Sequence, residues 1–175
     1  MARNIEIKAR VPDRKALEAA VVALATAGPT LILQDDTFFA CPNGRMKLRD
    51  FATGDGELIF YRRSDLAGPK PSEYFRSPTT AVASLREALA LGYGEIGRVR
   101  KRRTLYLVGR TRVHLDQVAG LGEFLELEVV LAEDEPAQAG VDEARGLMAR
   151  LGIAPSQLVQ GAYVDLSGSA EIGDR

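Results

Sequence analysis

The chain has 175 residues, 46% of them hydrophobic, and its formal net charge is −1 at neutral pH. This length suits one domain with an apolar core, and the near-zero charge excludes a general attraction to nucleic acid or to anionic membranes. Cys41 is the only cysteine and His114 the only histidine, so an internal disulfide and a cysteine–histidine zinc cluster are also excluded.

Nine segments with alternating or β-branched apolar residues predict strands, because each is bounded by glycine, proline or aspartate turn signals. They are 4–11, 31–39, 45–51, 57–63, 72–76, 98–108, 111–118, 123–131 and 162–166. We expect a single domain over 1–167 and a flexible C-terminal tail at 168–175.

Three segments carry apolar residues at helical spacing and predict helices packed outside a sheet. The first, DRKALEAAVVALATAG, has Asp13 placed as the N-cap and Gly28 placed as the stop. The second, TTAVASLREALALG, is expected to end before Gly92, and the third, VDEARGLMARLG, before Gly152.

No cleavable apolar leader begins the sequence, which predicts a cytoplasmic protein without a membrane partner. The longest apolar stretch runs from Leu17 to Leu33 and is interrupted by Glu18, Gly28 and Pro29. Such a stretch is too broken to predict a membrane-spanning helix.

Charged residues recur at every second position in several predicted strands. Side chains in a strand alternate between its two faces, so each of these strands has one ionic and one apolar face. The polar positions, all charged except Asn4, are Asn4, Glu6, Lys8 and Arg10 in NIEIKARV, Arg45, Lys47 and Arg49 in RMKLRDF, and Glu126 and Glu128 in FLELEVVL.

The two signs of charge are grouped by strand. Residues 97–112 contain seven basic side chains and no acid, whereas residues 123–135 contain six acids and no base. A sheet with a solvated outer face would instead mix the two signs for cross-strand pairing. If the sheet closes, the charged faces converge inside, where an ionic ligand must neutralise them. The pattern therefore favours an internal site for a polyanion with bound metal.

These segments resemble the CYTH superfamily in order and spacing, most closely its CyaB-like branch. The resemblance covers nearly the whole chain and rests on NIEIK, QDDTFF, KLR, ELIFYRR, SEY, KRRTLY, HLDQVAGLGEFLELEV and YVDL. The superfamily contains class IV adenylate cyclases, thiamine triphosphatases and inorganic tripolyphosphatases. The resemblance implies an α+β fold, an eight-stranded antiparallel β-tunnel with helices packed outside.

The resemblance also implies roles for individual residues. Metal ligands for Mg²⁺ or Mn²⁺ would be Glu6, Glu126 and Glu128, since carboxylate oxygens suit hard cations. Triphosphate-binding residues would be Lys8, Lys47, Arg49, Arg62, Lys101 and Arg103, with Arg63 as an equal alternative to Arg62 by strand alternation. Asp116 matches a further acid, and the catalytic set would be Lys8, Lys101, Arg103 and Asp116.

One position departs from the family pattern. The first acid of the family's E-x-E-x-K motif falls on Asn4, which offers only a neutral amide oxygen. The leading hypothesis is a metal-dependent enzyme acting on ATP, tripolyphosphate or thiamine triphosphate. It would form cyclic AMP and pyrophosphate, or hydrolyse the terminal phosphate. Asn4 keeps open a non-catalytic binder of nucleotide or polyphosphate.

Other hypotheses are weaker on the sequence. A nucleic-acid binder could use the basic run at 97–112 with Tyr106 as a stacking residue, but the acids of the same sheet would repel phosphates. Tyr61 and Tyr74 could stack on adenine or simply pack. His114 is expected to be a structural hydrogen-bond partner, and Asp35 and Asp36 to cap a turn. The sequence is compatible with a monomer or a homodimer.

Overall fold

Eight strands form the framework of the molecule. The computed structural model describes residues 1–170, and the side chains of residues 1–167. The strands are β1 (Ala2–Arg10), β2 (Ala27–Phe39), β3 (Arg45–Asp50), β4 (Gly56–Arg63), β5 (Lys70–Thr79), β6 (Glu95–Val108), β7 (Thr111–Val118) and β8 (Gly122–Val130). They close into an antiparallel barrel in the order β1-β5-β4-β3-β2-β6-β7-β8. The predicted eight-stranded antiparallel fold is confirmed.

Four α-helices and one short 3-10 turn complete the described part of the chain. They are α1 (Arg14–Leu24), α2 (Val82–Tyr93), α3 (Ala137–Leu151), the 3-10 turn at Pro155–Gln157 and α4 (Tyr163–Ala170). Within residues 1–170 no helix is both long and apolar enough to span a membrane.

The helix ends follow local sequence signals with two corrections. Asp13 caps α1 as predicted, accepting a hydrogen bond of 3.0 Å from the Ala16 amide, but α1 ends at Leu24, well before the predicted stop at Gly28. Helix α2 continues through Gly92 to Tyr93 and is capped by Gly94, whose φ of +81° favours glycine. At the end of α3, Gly152 takes the left-handed conformation expected of a C-cap.

Most of the apolar core lies outside the barrel, between its wall and the helices. Ile7, Val113 and Leu127 project from β1, β7 and β8 into a cluster that includes Val21 of α1 and Leu147 of α3. A second cluster packs α2 against β2 and β3 through Phe39, Leu48, Val82 and Leu89. Because most apolar side chains are buried on the outside, the inner rows can hold many polar side chains. A smaller apolar cluster that includes Phe38, Ile59 and Val99 lies inside the barrel.

The predicted ninth strand at 162–166 is wrong, because this segment forms the start of α4. The ring is already closed by eight strands, so no edge remains for another strand to pair with. The helix lies across one end of the barrel, with a Val164 methyl against Gly97 of β6 and Tyr163 almost fully buried. Of the expected tail at 168–175, residues 168–170 continue this helix, and residues 171–175 lie outside the described part.

The basic run at 97–112 is divided between the two faces of β6. Arg98 and Arg100 point outward and pair with Asp35, at 2.7 and 3.1 Å. Lys101 and Arg103 point into the barrel. This division follows from strand alternation and does not produce one continuous basic surface.

Tyr106 does not have the exposure that stacking on a nucleic-acid base requires. It is buried beneath α1, where its hydroxyl donates a 2.8 Å hydrogen bond to Glu18. The sequence-based stacking role for Tyr106 is therefore wrong, since the ring is part of the outer core.

Candidate functional site

The inward-facing side chains of all eight strands line one cavity of about 280 Å³. Strand alternation sends every second side chain to this side. The polar and aromatic residues of the wall include Asn4, Glu6, Lys8, Gln34, Asp36, Lys47, Arg49, Tyr61, Arg63, Tyr74, Lys101, Arg103, Arg112, His114, Glu126 and Glu128. The cavity therefore brings together most of the residues singled out from the sequence.

One of the sequence-predicted site residues lies elsewhere, and another lies inside the barrel beneath the cavity lining. Asp116 shares the inward face of β7 with His114 and is fully buried, within hydrogen-bond distance of Arg103. Arg62 is exposed on the outer face of β4 and donates a 2.9 Å hydrogen bond to the Asn43 carbonyl. Arg63 takes the inward position, because Tyr61 already faces inward and alternation places Arg63 on the same side. Of the two arginines that alternation left open, Arg63 therefore faces the cavity. The expectation that Arg62 lies in the site is wrong.

Asp116 anchors Arg103 from within the barrel. Its two carboxylate oxygens accept hydrogen bonds from Nε and Nη2 of Arg103, at 2.7 and 2.6 Å. Lys101 Nζ lies at 3.4 Å, and the Tyr163 hydroxyl donates a hydrogen bond of 3.1 Å. Burial would raise the pKa of Asp116, but the Arg103 and Lys101 charges lower it to about 2. The carboxylate is therefore ionised and fixes the orientation of both cations.

Asp36 has the same relation to the cations of β3. Its carboxylate accepts hydrogen bonds of 2.7 and 2.8 Å from Arg49 and one of 2.8 Å from Lys47. Burial and the neighbouring Arg49 charge lower the pKa of Lys47 to about 7, even though Asp36 opposes the shift. Asp36 lies within β2 and pairs with Arg49, so the expectation that it caps a turn is wrong.

The end of the cavity beneath α4 carries two lysines. Lys8 Nζ donates a 3.2 Å hydrogen bond to the Gly161 carbonyl and lies 3.8 Å from the centre of the Tyr163 ring. Lys101 Nζ is 5.0 Å from the centre of the same ring. Burial lowers the pKa of Lys8 to about 8, although Glu126 raises it. These cations are only partly compensated by the protein, which suits an anionic ligand.

Two glutamates from β8 form the acidic part of the wall. Glu126 contacts Arg103 through a very short hydrogen bond and lies 3.5 Å from Lys8 Nζ. Glu128 lies 3.3 Å from Arg112. Burial alone would raise the pKa of Glu126, but the surrounding lysine and arginine charges hold it well below its ordinary value. Both carboxylates are thus available as anionic oxygen donors.

His114, Glu126 and Glu128 form the group whose composition suits a metal ion. One donor atom from each lies within 4.8 Å of the others. The sequence predicted Glu6 as the third ligand, but Glu6 makes a very short hydrogen bond with Arg63. Burial and the nearby Arg103 charge lower the pKa of His114 to about 4, so its imidazole is neutral at pH 7.

The sequence did contain a signal for His114. It alternates with two other inward residues of β7, Arg112 and Asp116, and so shares their face. The register of β7 with β8, which places His114 opposite Glu126, was not available from the sequence. A lone histidine near acids was therefore assigned a structural role.

Asn4 and Gln34 present polar oxygens to the cavity without partners. Within residues 1–167, the Asn4 Oδ1 and Gln34 Oε1 atoms are buried and accept no hydrogen bond. Buried acceptors of this kind normally have a partner, so these two sites suit a ligand donor or a cation. Asn4 precedes Glu6 by two residues and therefore lies on the same face of β1.

Aromatic rings line the cavity beside the β3 cations. Tyr61 and Tyr74 face each other across β4 and β5, and both belong to the wall. The Lys47 ammonium lies 5.7 Å from the centre of the Tyr61 ring and 5.5 Å from that of Phe38. Burial raises the pKa of Tyr61 to about 12, so its hydroxyl stays protonated.

The chain is similar to known proteins in sequence and in fold. A family model described as the CYTH domain matches residues 2–163. Adenylate cyclase CyaB of Aeromonas hydrophila is 26% identical over 173 residues, which cover 91% of this chain and 86% of that protein. A solved structure of a Pyrococcus horikoshii protein has a TM-score of 0.77 at 22% identity and covers 93% of this chain and 98% of that one. A Hippeastrum protein described as revealing a dominant triphosphatase activity has a TM-score of 0.63 at 20% identity, with 94% and 96% covered. At these identities the structural likenesses show a shared fold.

Proposed function

The chain belongs to the CYTH domain family, and from that we propose that it is a metal-dependent enzyme that processes a triphosphate substrate inside its barrel. The family includes proteins named as adenylate cyclases and triphosphatases, which supports the substrate class. The identity of the triphosphate and the bond that breaks are part of the proposal.

The observation that carries the proposal is the convergence of cations on one cavity. Lys8, Lys47, Arg49, Lys101 and Arg103 come from three strands and line the same wall. Cations held in a buried site are unfavourable unless an anion compensates them, and burial together with the Arg49 charge accordingly lowers the pKa of Lys47 to about 7. A chain of phosphate oxygens would supply the missing negative charge, with arginines as bidentate donors and lysines as point charges.

The acidic part of the wall fits a divalent cation. Glu126 and Glu128 would hold it, since both are ionised and their oxygen atoms lie in one donor group. Mg²⁺ or Mn²⁺ bound there would neutralise charge on phosphate oxygens and polarise the reacting group. Glu6, the remaining acid predicted as a ligand, would need to leave Arg63 to join them.

Two reactions are compatible with this arrangement. With ATP, the ribose 3′-oxygen would attack the α-phosphorus, pyrophosphate would leave and the hydroxyl proton would be released. With tripolyphosphate or thiamine triphosphate, a water oxygen would attack the terminal phosphorus and the remaining phosphate chain would leave. In either case Arg103, oriented by Asp116, would stabilise charge that develops on the phosphate oxygens.

A second candidate function rests on Asn4. An amide at the position of the family's first acid removes one negative charge from the metal side of the cavity. This observation favours a protein that binds nucleotide or polyphosphate without turning it over.

A product assay distinguishes these functions. ATP, tripolyphosphate and thiamine triphosphate are incubated with the full chain in Mg²⁺ and in Mn²⁺. Cyclic AMP identifies a cyclase and free phosphate a triphosphatase. Lys101→Gln should lower turnover at least about tenfold, because it removes a buried phosphate-binding cation. Arg102→Gln, its exposed neighbour on the outer face, should leave turnover unchanged.

Three results would contradict the enzyme proposal or part of it. Tight triphosphate binding without any product would leave the binder as the function. Failure to bind any of the three triphosphates would overturn both functions. Equal losses in Lys101→Gln and Arg102→Gln would show that the cavity is not the site.

A further inference from the structure

We propose that His114 is a nitrogen ligand of the bound metal, and that it makes the site select a transition-metal dication such as Mn²⁺ over Mg²⁺. This inference rests on the proposed metal-dependent function and concerns the identity of the metal. His114 would then have a role beyond packing. Unlike the carboxylates, which any hard cation accepts as ligands, its nitrogen would distinguish between metals.

The first observation is the position of the imidazole. The His114 side chain is 5% exposed and belongs to the cavity wall. It lies opposite Glu126 across the β7–β8 pairing, and its Nδ1 atom is 3.7 Å from Oε1 of Glu128. The ring is therefore directed toward the two carboxylates that would hold the metal.

The second observation is that this nitrogen has no hydrogen-bond partner in the described part of the protein. Among the described side chains, His114 Nδ1 is buried and makes no hydrogen bond. A separation of 3.7 Å from the Glu128 oxygen is too long for one. A structural histidine would be expected to use this atom, since a buried polar atom without a partner destabilises the folded protein. A shared cation would satisfy the nitrogen and both carboxylates together.

The donor types then determine the metal. A site of carboxylates alone suits Mg²⁺, which prefers oxygen ligands and strict octahedral geometry. An imidazole nitrogen shifts the preference toward the transition-metal series, in which Mn²⁺ is the weakest binder and affinity rises toward copper. One nitrogen with two carboxylates should therefore bind Mn²⁺, Co²⁺ and Zn²⁺ more tightly than Mg²⁺.

The surrounding charges explain why the metal should enter together with the phosphates. Arg103 and Arg112 contact Glu126 and Glu128, and both would repel a cation placed between those carboxylates. Phosphate oxygens would draw the arginines away and add ligands of their own. The inference is therefore tested with a triphosphate analogue present.

Pulsed electron paramagnetic resonance of bound Mn²⁺ tests the ligand directly. The untagged full chain is loaded with Mn²⁺ and a methylene-bridged triphosphate, which resists hydrolysis and contains no nitrogen. A coordinated imidazole should produce ¹⁴N modulation that changes when the protein is labelled with ¹⁵N-histidine. Because His114 is the only histidine, any such signal is assigned without a variant.

Affinity measurements test the selectivity. We expect His114→Gln to weaken Mn²⁺ binding, measured by calorimetry with the same analogue, at least about tenfold and Mg²⁺ binding less than twofold. Gln117→Ala, on the exposed face of the same strand, is the matched control and should change neither.

The outcomes separate this inference from the proposed function. Tight Mn²⁺ binding without histidine modulation would overturn the role of His114 and leave a carboxylate metal site intact. Equal losses of Mg²⁺ and Mn²⁺ affinity in His114→Gln would overturn the selectivity. Absence of any metal binding with the analogue would overturn both the inference and the metal-dependent function.

Discussion

Asp36 accepts two hydrogen bonds from one guanidinium, from Nε of Arg49 at 2.7 Å and from Nη2 at 2.8 Å, inside the barrel. The same carboxylate also binds Lys47. A single acid on β2 thus holds both Lys47 and Arg49 of β3 toward the cavity, and its one negative charge offsets only part of theirs.

Asp36→Asn should destabilise the free protein by about 3 kcal/mol, because it leaves two buried cations without their counter-charge. Chemical denaturation monitored by circular dichroism measures the loss. Tripolyphosphate should restore more stability to this variant than to wild type. Asp35→Asn is the matched control, since Asp35 pairs with partly exposed arginines and its loss should cost under about 1 kcal/mol. Equal losses in the two variants would contradict the role of Asp36.

When a triphosphate binds, the Lys47 amine should take up a proton. Its pKa is about 7 in the free protein, so above pH 7 the side chain is mainly neutral, in the field of Arg49, Lys101 and Asp36. A bound polyanion favours the ammonium form and raises this pKa, so affinity should fall as pH rises above 7. Calorimetry at pH 7.5 in buffers of different ionisation enthalpy should show uptake of up to about three quarters of a proton at this site.

Two variants assign that proton. Lys47→Arg keeps its charge throughout this range, so proton uptake should be smaller than in wild type and affinity less dependent on pH. Lys15→Arg, on the exposed side of α1, should behave as wild type. Unchanged proton uptake in Lys47→Arg would show that another group titrates.

Arg63→Gln should weaken triphosphate binding at least about tenfold, because Arg63 is the inward arginine of β4. Arg62→Gln, the adjacent exposed residue, should change affinity less than twofold. Fluorescence competition with a labelled nucleotide measures both. A larger loss in Arg62→Gln than in Arg63→Gln would mean that the functional face of β4 is the outer one.

Asn4→Glu should strengthen Mn²⁺ binding in the presence of a triphosphate and raise turnover, because a carboxylate replaces a neutral amide oxygen. Asn4→Gln is the control for side-chain length and should improve neither quantity. Calorimetry and the product assay measure the two effects. Rapid turnover by wild type that falls in Asn4→Glu would show that the site depends on the amide.

The sequence was most informative where charge and strand period coincide. Glu6 and Lys8 in β1, and Glu126 and Glu128 in β8, alternate with buried aliphatic residues, and the structure places all four on the inner wall. A one-residue shift would expose the apolar row, so the inner face of such strands is determined locally.

The sequence was least informative where the outcome depends on the closed ring. The residues at 162–166 alternate like a short strand, yet α4 forms there because the barrel offers no edge. The pairing of Asp36 with Arg49 and the approach of His114 to Glu128 depend on strand registers. Registers between distant segments come from global packing, which local patterns do not contain.

The closed ring of strands also restricts where the chain can change in length. If one residue were added to a strand or deleted from it, every later side chain of that strand would point to the opposite face. Charged side chains would then lie under the helices and aliphatic ones in the cavity. The connection at 64–69, between β4 and β5, is free of this constraint because it lies outside both strands. Insertions and deletions in evolution should therefore collect in such connections, while the strands change only by substitution.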